Sequence, residues 1–462
     1  MKWEKLLNNT RLRQSNRGED ARNDFESDFG RIIFSAAMRR MHDKTQVFPL
    51  TSDDNIHSRL THSMEVMAIG HSLGIRICED DNFAKTVSSD KIRLFREIPV
   101  LLKNACLVHD IGNPPFGHFG ETVIQEYFRN FFARENAKEN IGNKATNTLT
   151  LTEEEKEDFT LFDGNAQGFR VLTKLQILND DFGLNLTYGT LASYTKYPNY
   201  GKTNNSIIAK KKRGVFQSEK VYLNKISEAC GLGKEDKIIR HPLCYLMEAA
   251  DSICYLVMDI EDGFNKGWYS FSEIKKHFDA DAEIKNKIEK LEEDISNTRY
   301  GQEITKMVTF RIYLIDRLVK LASDNFHKNL PEILKGTYNK ELIKDDEKGL
   351  EKSLMDFCIK KIFPNREITS LELTGHSVLT GLLDYYITFV FHKEQHYRKR
   401  AQSLISDSIL RVAFVENKLL ENSDIEMLPD YYKLRVIVDF ISGMTDQFAL
   451  NHYQKLSGQK IS

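Results

Sequence analysis

Helical periodicity limits the fold of this chain more than any other feature of its sequence. Apolar residues recur every three to four positions over long stretches, and only nine prolines interrupt the 462 residues, so helices meet few breaks. The spacing predicts helices over residues 25–41, 60–77, 92–108, 120–134 and 242–261, with Gly263 ending the last, and a helical region from about 271 to 453. The sequence therefore predicts an all-α protein.

The chain shows no internal repeat and no low-complexity linker. We expect one catalytic helical domain over residues 1–270, with a polar insertion at about 135–158. We expect residues 271–462 to form a C-terminal helical region packed on that domain. A second polar stretch, 196–213, contains aromatic residues that indicate partial order.

Charge and cysteine content exclude several classes of protein. The chain has 65 Lys and Arg against 67 Asp and Glu, a net charge of −2, so it is not basic overall. Six cysteines are scattered through apolar segments without a CxxC pair, which indicates reduced thiols. The N-terminus is polar, and no apolar run is long enough to span a membrane. We therefore expect a cytoplasmic protein without a membrane partner.

An adjacent histidine and aspartate, His109 and Asp110, end an apolar helix and precede a stiff turn with the sequence IGNPP. Such a dipeptide is weak evidence alone, since 13 histidines make one expected by chance. Its position, however, presents two ligands at a helix end on a backbone restrained by proline. Imidazole plus carboxylate suits Mn²⁺, Fe²⁺, Ni²⁺ or Zn²⁺, and Mg²⁺ where phosphate oxygens and water complete the shell.

Two further side chains are candidates to complete this site. His62 lies on the predicted helix 60–77, and Asp251 lies within an apolar helix where an unpaired carboxylate is costly. Taken alone, His62 is more simply explained as a hydrogen-bonded core histidine, and Asp251 as half of an ion pair or as a cap. The sequence strings around them weaken both simpler explanations.

These strings resemble the bacterial deoxyguanosine triphosphate triphosphohydrolases (dGTPases), a family of the HD superfamily. The matching segments are 44–49 (KTQVFP), 58–66 (SRLTHSMEV), 109–121 (HDIGNPPFGHFGE), 162–168 (FDGNAQG), 247–251 (MEAAD) and 440–446 (FISGMTD). They occur in order over nearly the whole chain, and the segment 109–121 is the most specific. The segments 135–158 and 196–213 match weakly.

The resemblance implies an all-α HD phosphohydrolase fold whose C-terminal helical half completes the nucleotide pocket and the oligomer contacts. It implies cleavage of dGTP to deoxyguanosine and inorganic tripolyphosphate in one step. By resemblance, His62, His109, Asp110 and Asp251 are the metal ligands, for Mg²⁺ or Mn²⁺, with Zn²⁺, Ni²⁺ and Fe²⁺ as alternatives. Family members assemble as oligomers, commonly hexamers, and some respond to a nucleotide or to single-stranded DNA.

The reaction needs a proton donor for the departing 5′ oxygen, and His118 is the candidate. Glu121 follows it by three residues, so on a helix its carboxylate can orient the imidazole. An alternative role for His118 is to activate the attacking water. Without the family string, a His–Glu pair at a helix N-terminus would be the simpler explanation.

Asp251, Tyr255 and Asp259 are spaced to share one helix face. If Asp251 binds a metal, Tyr255 can pack at C2′ of the sugar and exclude a ribose hydroxyl. Asp259 can accept a hydrogen bond from the 3′-hydroxyl, as can Gln46 from the other side. The resemblance supports both placements, although Tyr255 alone is equally compatible with an ordinary core aromatic residue.

Candidates for holding the phosphates come from several segments. Arg59 lies one turn before His62, and Asn165 lies in the string 162–168. The variable segment adds Tyr194 and one or more lysines, namely Lys196, Lys211 and Lys212, with Lys212 favoured. Relatives carry a lysine immediately before the equivalent of Tyr194, where this chain has Ser193. Lys196 is expected to substitute for it, or the phosphates are held less tightly.

The base pocket is predicted only from the resemblance, which places His376, Asp384 and Arg435 near the guanine. Two alternatives within enzymes are a dNTPase of broader specificity and another HD hydrolase of cyclic nucleotides or nucleoside monophosphates. An alternative of a different class is a nucleotide-sensing assembly that binds single-stranded DNA. The basic segment 397–400 (YRKR) would suit DNA, but a solvated helix face is its simpler explanation.

Overall fold

The computed structural model describes residues 1–14, 20–46, 50, 56–88, 90–136, 149–176, 183–279, 281–295 and 302–460. Within these ranges the regular structure is helical, and the only β-type pairings are two isolated bridges, Arg11 with Thr187 and Thr45 with Ser58. The predicted all-α class is therefore confirmed.

Among the residues that the structure describes, twelve α-helices precede residue 270. They are α1 Trp3–Leu6, α2 Asp24–Ile33, α3 Ala36–Arg40, α4 Arg59–Glu79, α5 Asp81–Val87, α6 Lys91–Val108, α7 Gly117–Asn136, α8 Glu153–Thr160, α9 Gly164–Arg170, α10 Tyr188–Tyr194, α11 Lys220–Ala229 and α12 Pro242–Asn265. Nine follow it. They are α13 Phe271–His277, α14 Ala282–Ile295, α15 Gln302–Lys335, α16 Leu350–Lys361, α17 Arg366–Val390, α18 Gln395–Leu404, α19 Asp407–Glu416, α20 Asp430–Ser442 and α21 Asp446–Leu456. A π-helical turn, Val171–Leu175, continues α9.

Two predicted helix limits are wrong. The helix expected over 25–41 is two helices, because Ser35 leaves the helical conformation and its side chain accepts a hydrogen bond from the Met38 backbone as the N-cap of α3. Gly263 does not end α12, which continues to Asn265. A β-carbon at Gly263 would lie 2.5 Å from the Tyr269 hydroxyl, so this glycine allows a close contact inside the helix instead of stopping it.

The polar stretch 135–158 lies partly outside the described residues, which resume at 149. Its end is helical, because Thr152 and Glu155 form a capping box that starts α8. The second polar stretch is anchored at its end by Arg213, whose buried guanidinium pairs with the buried Asp158 at 3.1 Å.

Helices α4, α6 and α12 pack on one another at the centre of the first apolar core, and α15 packs on α12. The approach of α4 to α6 depends on small residues. A β-carbon at Gly70 would lie 2.3 Å from the Cys106 sulfur, and one at Gly74 would lie 2.7 Å from the Pro99 α-carbon. The helices that carry His62 and His109 are therefore in close contact.

A second apolar core joins α7 and α8 to the C-terminal helices α17, α19, α20 and α21. The turn after α6 runs from one core to the other, since Ile111 packs in the first and Phe116 in the second. Helices α13 to α16 pack in the first core, although they follow residue 270. The division into domains at that residue stays a prediction.

Candidate active site and metal centre

Three potential metal ligands converge where α4, α6 and α12 meet. Atoms of His62, His109 and Asp251 lie within 4.8 Å of one another. The Nε2 atoms of His62 and His109 are each 3.3 Å from the same carboxylate oxygen of Asp251. Two imidazoles and a carboxylate are a donor set that divalent transition metals accept.

The hydrogen bonds of His109 fit a metal at this place. Its Nδ1 lies 2.8 Å from the Cys106 carbonyl, to which it donates, so Nε2 is left as the free electron-pair donor. That Nε2 is buried and has no hydrogen-bond partner among the described residues. Burial alone would lower the pKa of His109, but Asp110 and Asp251 raise it to about 9. A cation bound by both carboxylates would take the place of that proton.

Asp110, the fourth predicted ligand, also faces this cluster. One of its oxygens lies 3.5 Å from His109 Nε2, while the other accepts a hydrogen bond from Arg59. Arg59 is buried and reaches past Gly117, where a β-carbon would lie 2.4 Å from the guanidinium. Gly117 has a φ of +58°, so both its conformation and its neighbour favour glycine. Arg59 thus orients Asp110 and lines the pocket.

The turn between the two cores is held by the C-terminal half. The Asp446 carboxylate accepts hydrogen bonds from the backbone of Phe116 and of Thr45, both at 3.0 Å. The buried Lys44 ammonium donates to the carbonyls of Asn113 and Ser442 at 2.5 and 2.7 Å. Burial lowers the pKa of Lys44 to about 7. The family string 440–446 therefore supports the turn that presents His109 and His118.

His118 and Glu121 form the pair predicted from their spacing. His118 Nδ1 lies 3.0 Å from one oxygen of Glu121, and the other oxygen accepts from the Gly164 backbone at 2.7 Å. The imidazole is 75% exposed, whereas the carboxylate is buried. The charge and hydrogen bond of Glu121 raise the pKa of His118. Burial alone would raise the pKa of Glu121, but His118 and Lys212 lower it.

The predicted phosphate ligands lie around the same pocket and are tied to acidic partners. Lys212 lies 2.6 Å from Asp163, and Lys196 lies 3.4 Å from the buried Glu248. The Asn165 side chain donates to Asp163 at 2.8 Å. Tyr194 does not line the pocket; its buried hydroxyl donates to the Asn165 carbonyl at 2.8 Å. Tyr194 therefore supports Asn165.

The predicted sugar contacts lie in the same pocket. Tyr255 and Asp259 line the same pocket from α12, in line with Asp251. Asp259 is buried, and burial followed by the charge of Asp262 raises its pKa well above the usual range. Gln46 also lines the pocket, and its buried carbonyl oxygen has no hydrogen-bond partner among the described residues.

The pocket has a volume of about 490 Å³, a size typical of a small-molecule site. It brings together most of the predicted site residues. Those that line it are Gln46, Arg59, His109, Asp110, His118, Asn165, Lys196, Lys212, Asp251, Tyr255 and Asp259. His62 reaches it through Asp251, and Glu121 through His118.

Three residues that line the pocket were not predicted from the sequence. Phe363, Ile368 and Glu372 come from the region where α17 begins. Glu372 makes no hydrogen bond or ion pair with any described residue, and burial raises its pKa. A lone glutamate on a helix carries no motif, so only its position in the fold marks it.

The three residues expected near a base lie elsewhere. Arg435 is buried against the Phe216 ring, 3.9 Å away, and pairs with Asp439. Asp384 is exposed and accepts from the Tyr127 hydroxyl. His376 is exposed on α17. In the basic segment 397–400, Arg398 is buried and bonded to backbone carbonyls of the turn before α18 and to Glu426.

None of the helices in the described ranges combines the length and apolar character that crossing a membrane requires.

An HD domain model matches residues 59–161, and a model described as a phosphohydrolase-associated domain matches residues 343–455. The first contains His62, His109, His118 and Glu121, and the second contains Glu372 and Asp446.

Relatives match over the full length of the chain. A deoxyguanosinetriphosphate triphosphohydrolase-like protein of Listeria monocytogenes is 38% identical over 99% of this chain and 100% of its own length. One of Synechocystis is 33% identical over 99% of both chains. The deoxyguanosinetriphosphate triphosphohydrolase of Cronobacter sakazakii is 32% identical over 94% of this chain and 93% of its own. The chain therefore belongs to the deoxyguanosinetriphosphate triphosphohydrolase family of HD-domain hydrolases.

Proposed function

We propose that this protein hydrolyses a deoxynucleoside triphosphate, with dGTP as its main substrate, to the deoxynucleoside and inorganic tripolyphosphate. One observation carries the proposal: His118, backed by Glu121, faces the same pocket as the cluster His62, His109 and Asp251. The proton donor and the metal ligands would then act on the same phosphate ester.

His62, His109, Asp110 and Asp251 would hold the divalent cation, Mg²⁺ or Mn²⁺ in the first instance. When bound, such an ion supplies Lewis acidity that withdraws charge from the α-phosphate. Arg59 contributes by fixing the orientation of Asp110. Lys196, Lys212 and Asn165 face the rest of the triphosphate, where cationic and amide donors offset its negative charge.

His118 would donate the proton that the departing 5′ oxygen needs. Glu121 holds Nδ1, so Nε2 is the ring nitrogen left to carry the transferred proton. Because Glu121 raises the pKa of His118, a larger fraction of the imidazole is protonated at neutral pH. The Gly164 backbone fixes the carboxylate in turn.

The nucleoside end of the pocket suits a deoxyribose and a guanine. Tyr255 would pack at C2′, and Asp259 and Gln46 would bind the 3′-hydroxyl. The carboxylate of Glu372 has two acceptor oxygens and no partner among the described residues. Guanine presents two adjacent donors, N1–H and the 2-amino group, which a carboxylate can accept together. Adenine has an acceptor at N1 and no 2-amino group, so it would leave Glu372 unpaired.

The proposal is tested with the four dNTPs and GTP, each with Mg²⁺ and with Mn²⁺, and the products are separated by chromatography. We expect deoxyguanosine and tripolyphosphate from dGTP, with little turnover of GTP. Pyrophosphate or orthophosphate as the primary product would indicate another HD-type phosphohydrolase. Equal turnover of all four dNTPs would indicate a dNTPase of broad specificity. No turnover would favour a nucleotide-sensing assembly that binds single-stranded DNA.

We also propose that the protein forms a homohexamer and lies in the cytoplasm. It would respond to an effector, either a nucleotide or single-stranded DNA.

A further inference from the structure

A third histidine lies close to the metal cluster and outside it. His57 immediately precedes Ser58, the N-cap of α4. Its Nδ1 lies 2.7 Å from Asp262 and its Nε2 lies 3.0 Å from Glu65. Both ring nitrogens thus face carboxylates, an arrangement satisfied when both carry a proton and donate. Burial alone would lower the pKa of His57, but Asp262 and Glu65 raise it to about 10.

The two carboxylates belong to the two helices that bring His62 and Asp251 together. Glu65 lies on α4, one turn beyond His62, and Asp262 lies on α12, one turn beyond Asp259. His57 therefore ties α4 to α12 by a side-chain bridge with an imidazolium at its centre. Its backbone N–H adds a hydrogen bond to the second oxygen of Asp262, at 3.4 Å.

The bridge also controls the charge beside Asp259. Asp262 is buried, and within the described residues His57 alone donates hydrogen bonds to its carboxylate. Without His57, a buried unpaired carboxylate would remain one helical turn from Asp259, which is costly and repels negative charge. Asp262 raises the pKa of Asp259 and His57 opposes that effect, which indicates that the three groups act on one another.

We propose that His57 is a positioning residue for the nucleotide. By bridging Glu65 and Asp262 it fixes α12 against α4 and holds Asp259 where that carboxyl group meets the sugar 3′-hydroxyl. The inference rests on the proposed function, which supplies the deoxynucleotide. His57 itself does not line the pocket, so its effect reaches the substrate through Asp262 and Asp259.

The test compares His57→Ala, His57→Gln and His57→Arg with the wild-type protein, using dGTP and 2′,3′-dideoxy-GTP. We expect His57→Ala to lower the preference for dGTP, measured as the ratio of kcat/KM values, by about tenfold, the upper range for one lost hydrogen bond. The loss should come mainly from a higher KM for dGTP. His57→Arg should restore most of the preference, because a guanidinium can donate to both carboxylates.

Metal content and thermal midpoint are measured on every variant. His71→Ala is the matched control, since His71 lies on α4, makes no hydrogen bond with a described residue and does not line the pocket. The preference of His71→Ala for dGTP over 2′,3′-dideoxy-GTP should match that of the wild type. If His57→Ala does not fold, His57→Gln carries the test, because it keeps a donor but loses the charge. An unchanged preference in folded His57→Ala or His57→Gln, or no restoration by His57→Arg, would overturn the proposal.

Failure of the proposed function would look different. It would appear as no tripolyphosphate from any dNTP with the wild-type protein. In that event, calorimetric titration of wild type and His57→Ala with dGTP and 2′,3′-dideoxy-GTP tests His57 directly. If the wild type binds dGTP more tightly than 2′,3′-dideoxy-GTP and His57→Ala does not, the positioning role of His57 is supported. If both proteins show the same preference, that role is refuted.

Discussion

The two ends of the pocket differ in how their polar groups are satisfied. At the phosphate end, four side chains outside the metal cluster already have acidic partners: His118 with Glu121, Lys212 with Asp163, Lys196 with Glu248, and Arg59 with Asp110. At the nucleoside end, Gln46 has a buried oxygen without a partner, and Glu372 and Asp259 make no hydrogen bond with a described residue.

This difference in hydrogen bonding predicts separate roles for the two ends of the pocket. Groups held by neighbours before the substrate arrives keep their geometry and need little reorganisation during the reaction. Groups without partners gain most when a matching donor arrives, and they lose most when a wrong base leaves them buried and unpaired. Changes at the phosphate end should therefore act on kcat, and changes at the nucleoside end on KM and selectivity.

The largest effect is expected from His109→Ala, which removes the buried orphan nitrogen at the centre of the cluster. Turnover should fall to background. Addition of Mn²⁺ should raise the thermal midpoint of the wild type, because a ligand that binds only the folded state stabilises it, and this rise should disappear in the variant. His71→Ala serves as the control. A variant that keeps the Mn²⁺-dependent rise would show that His109 is not a ligand.

The next effect concerns proton transfer at the phosphate end. His118→Gln should lower kcat by about 10²- to 10⁴-fold, the usual contribution of general acid catalysis. Metal content should be unchanged, because His118 is not part of the cluster. Loss of metal together with activity would instead assign His118 to the metal site.

The pH dependence distinguishes the two roles of His118. Glu121 raises the pKa of His118. A general acid is active when protonated, so activity should persist up to the raised pKa and fall as the pH passes it. Glu121→Gln removes the negative charge and should move the basic limb of kcat/KM to lower pH. Movement of the acidic limb alone would instead indicate that His118 activates water.

The sequence predicted the metal cluster, His118 and the sugar contacts better than the residues near the base, for a physical reason. His109, Asp110 and His118 are close in the chain, and the stiff turn between them fixes their relation through local geometry. Helix periodicity likewise put Asp251, Tyr255 and Asp259 on one face. These relations are set within one element or one turn, where sequence spacing is a direct guide to distance.

The base region of the nucleoside end depends on contacts between elements far apart in the chain. Glu372 comes from α17 and lines the same pocket as Asp259 on α12 only in the folded protein. Arg435 is the converse case: its string resembles the family, but its guanidinium is buried beside Asp439 and Phe216 and does not line this pocket. The bridge made by His57 was also missed, because Glu65 and Asp262 are 197 positions apart and no spacing rule connects them.

A smaller effect is expected at the base. Glu372→Gln replaces one acceptor oxygen by an amide and should clash with one of the two guanine donors. We expect kcat/KM for dGTP to fall about tenfold to a hundredfold, as for a lost hydrogen bond to a charged group, with little change for dATP. The ratio of kcat/KM for dGTP to kcat/KM for dATP measures the effect. Equal losses for dGTP and dATP would assign Glu372 to the structure of the pocket.

The smallest effect is expected from Tyr194→Phe, which removes the hydroxyl that donates to the Asn165 carbonyl. Asn165 keeps its bond to Asp163, so only part of its support is lost. We expect kcat/KM for dGTP to fall about threefold to tenfold, the range of one ordinary hydrogen bond. Tyr188→Phe is the matched control, because Tyr188 lies on the same helix and its buried hydroxyl has no partner among the described residues. Equal kinetics for both variants would show that the Tyr194 hydroxyl does not contribute to the reaction. A loss confined to Tyr194→Phe would show that activity depends on the hydrogen bond that supports Asn165, although Tyr194 does not itself line the pocket.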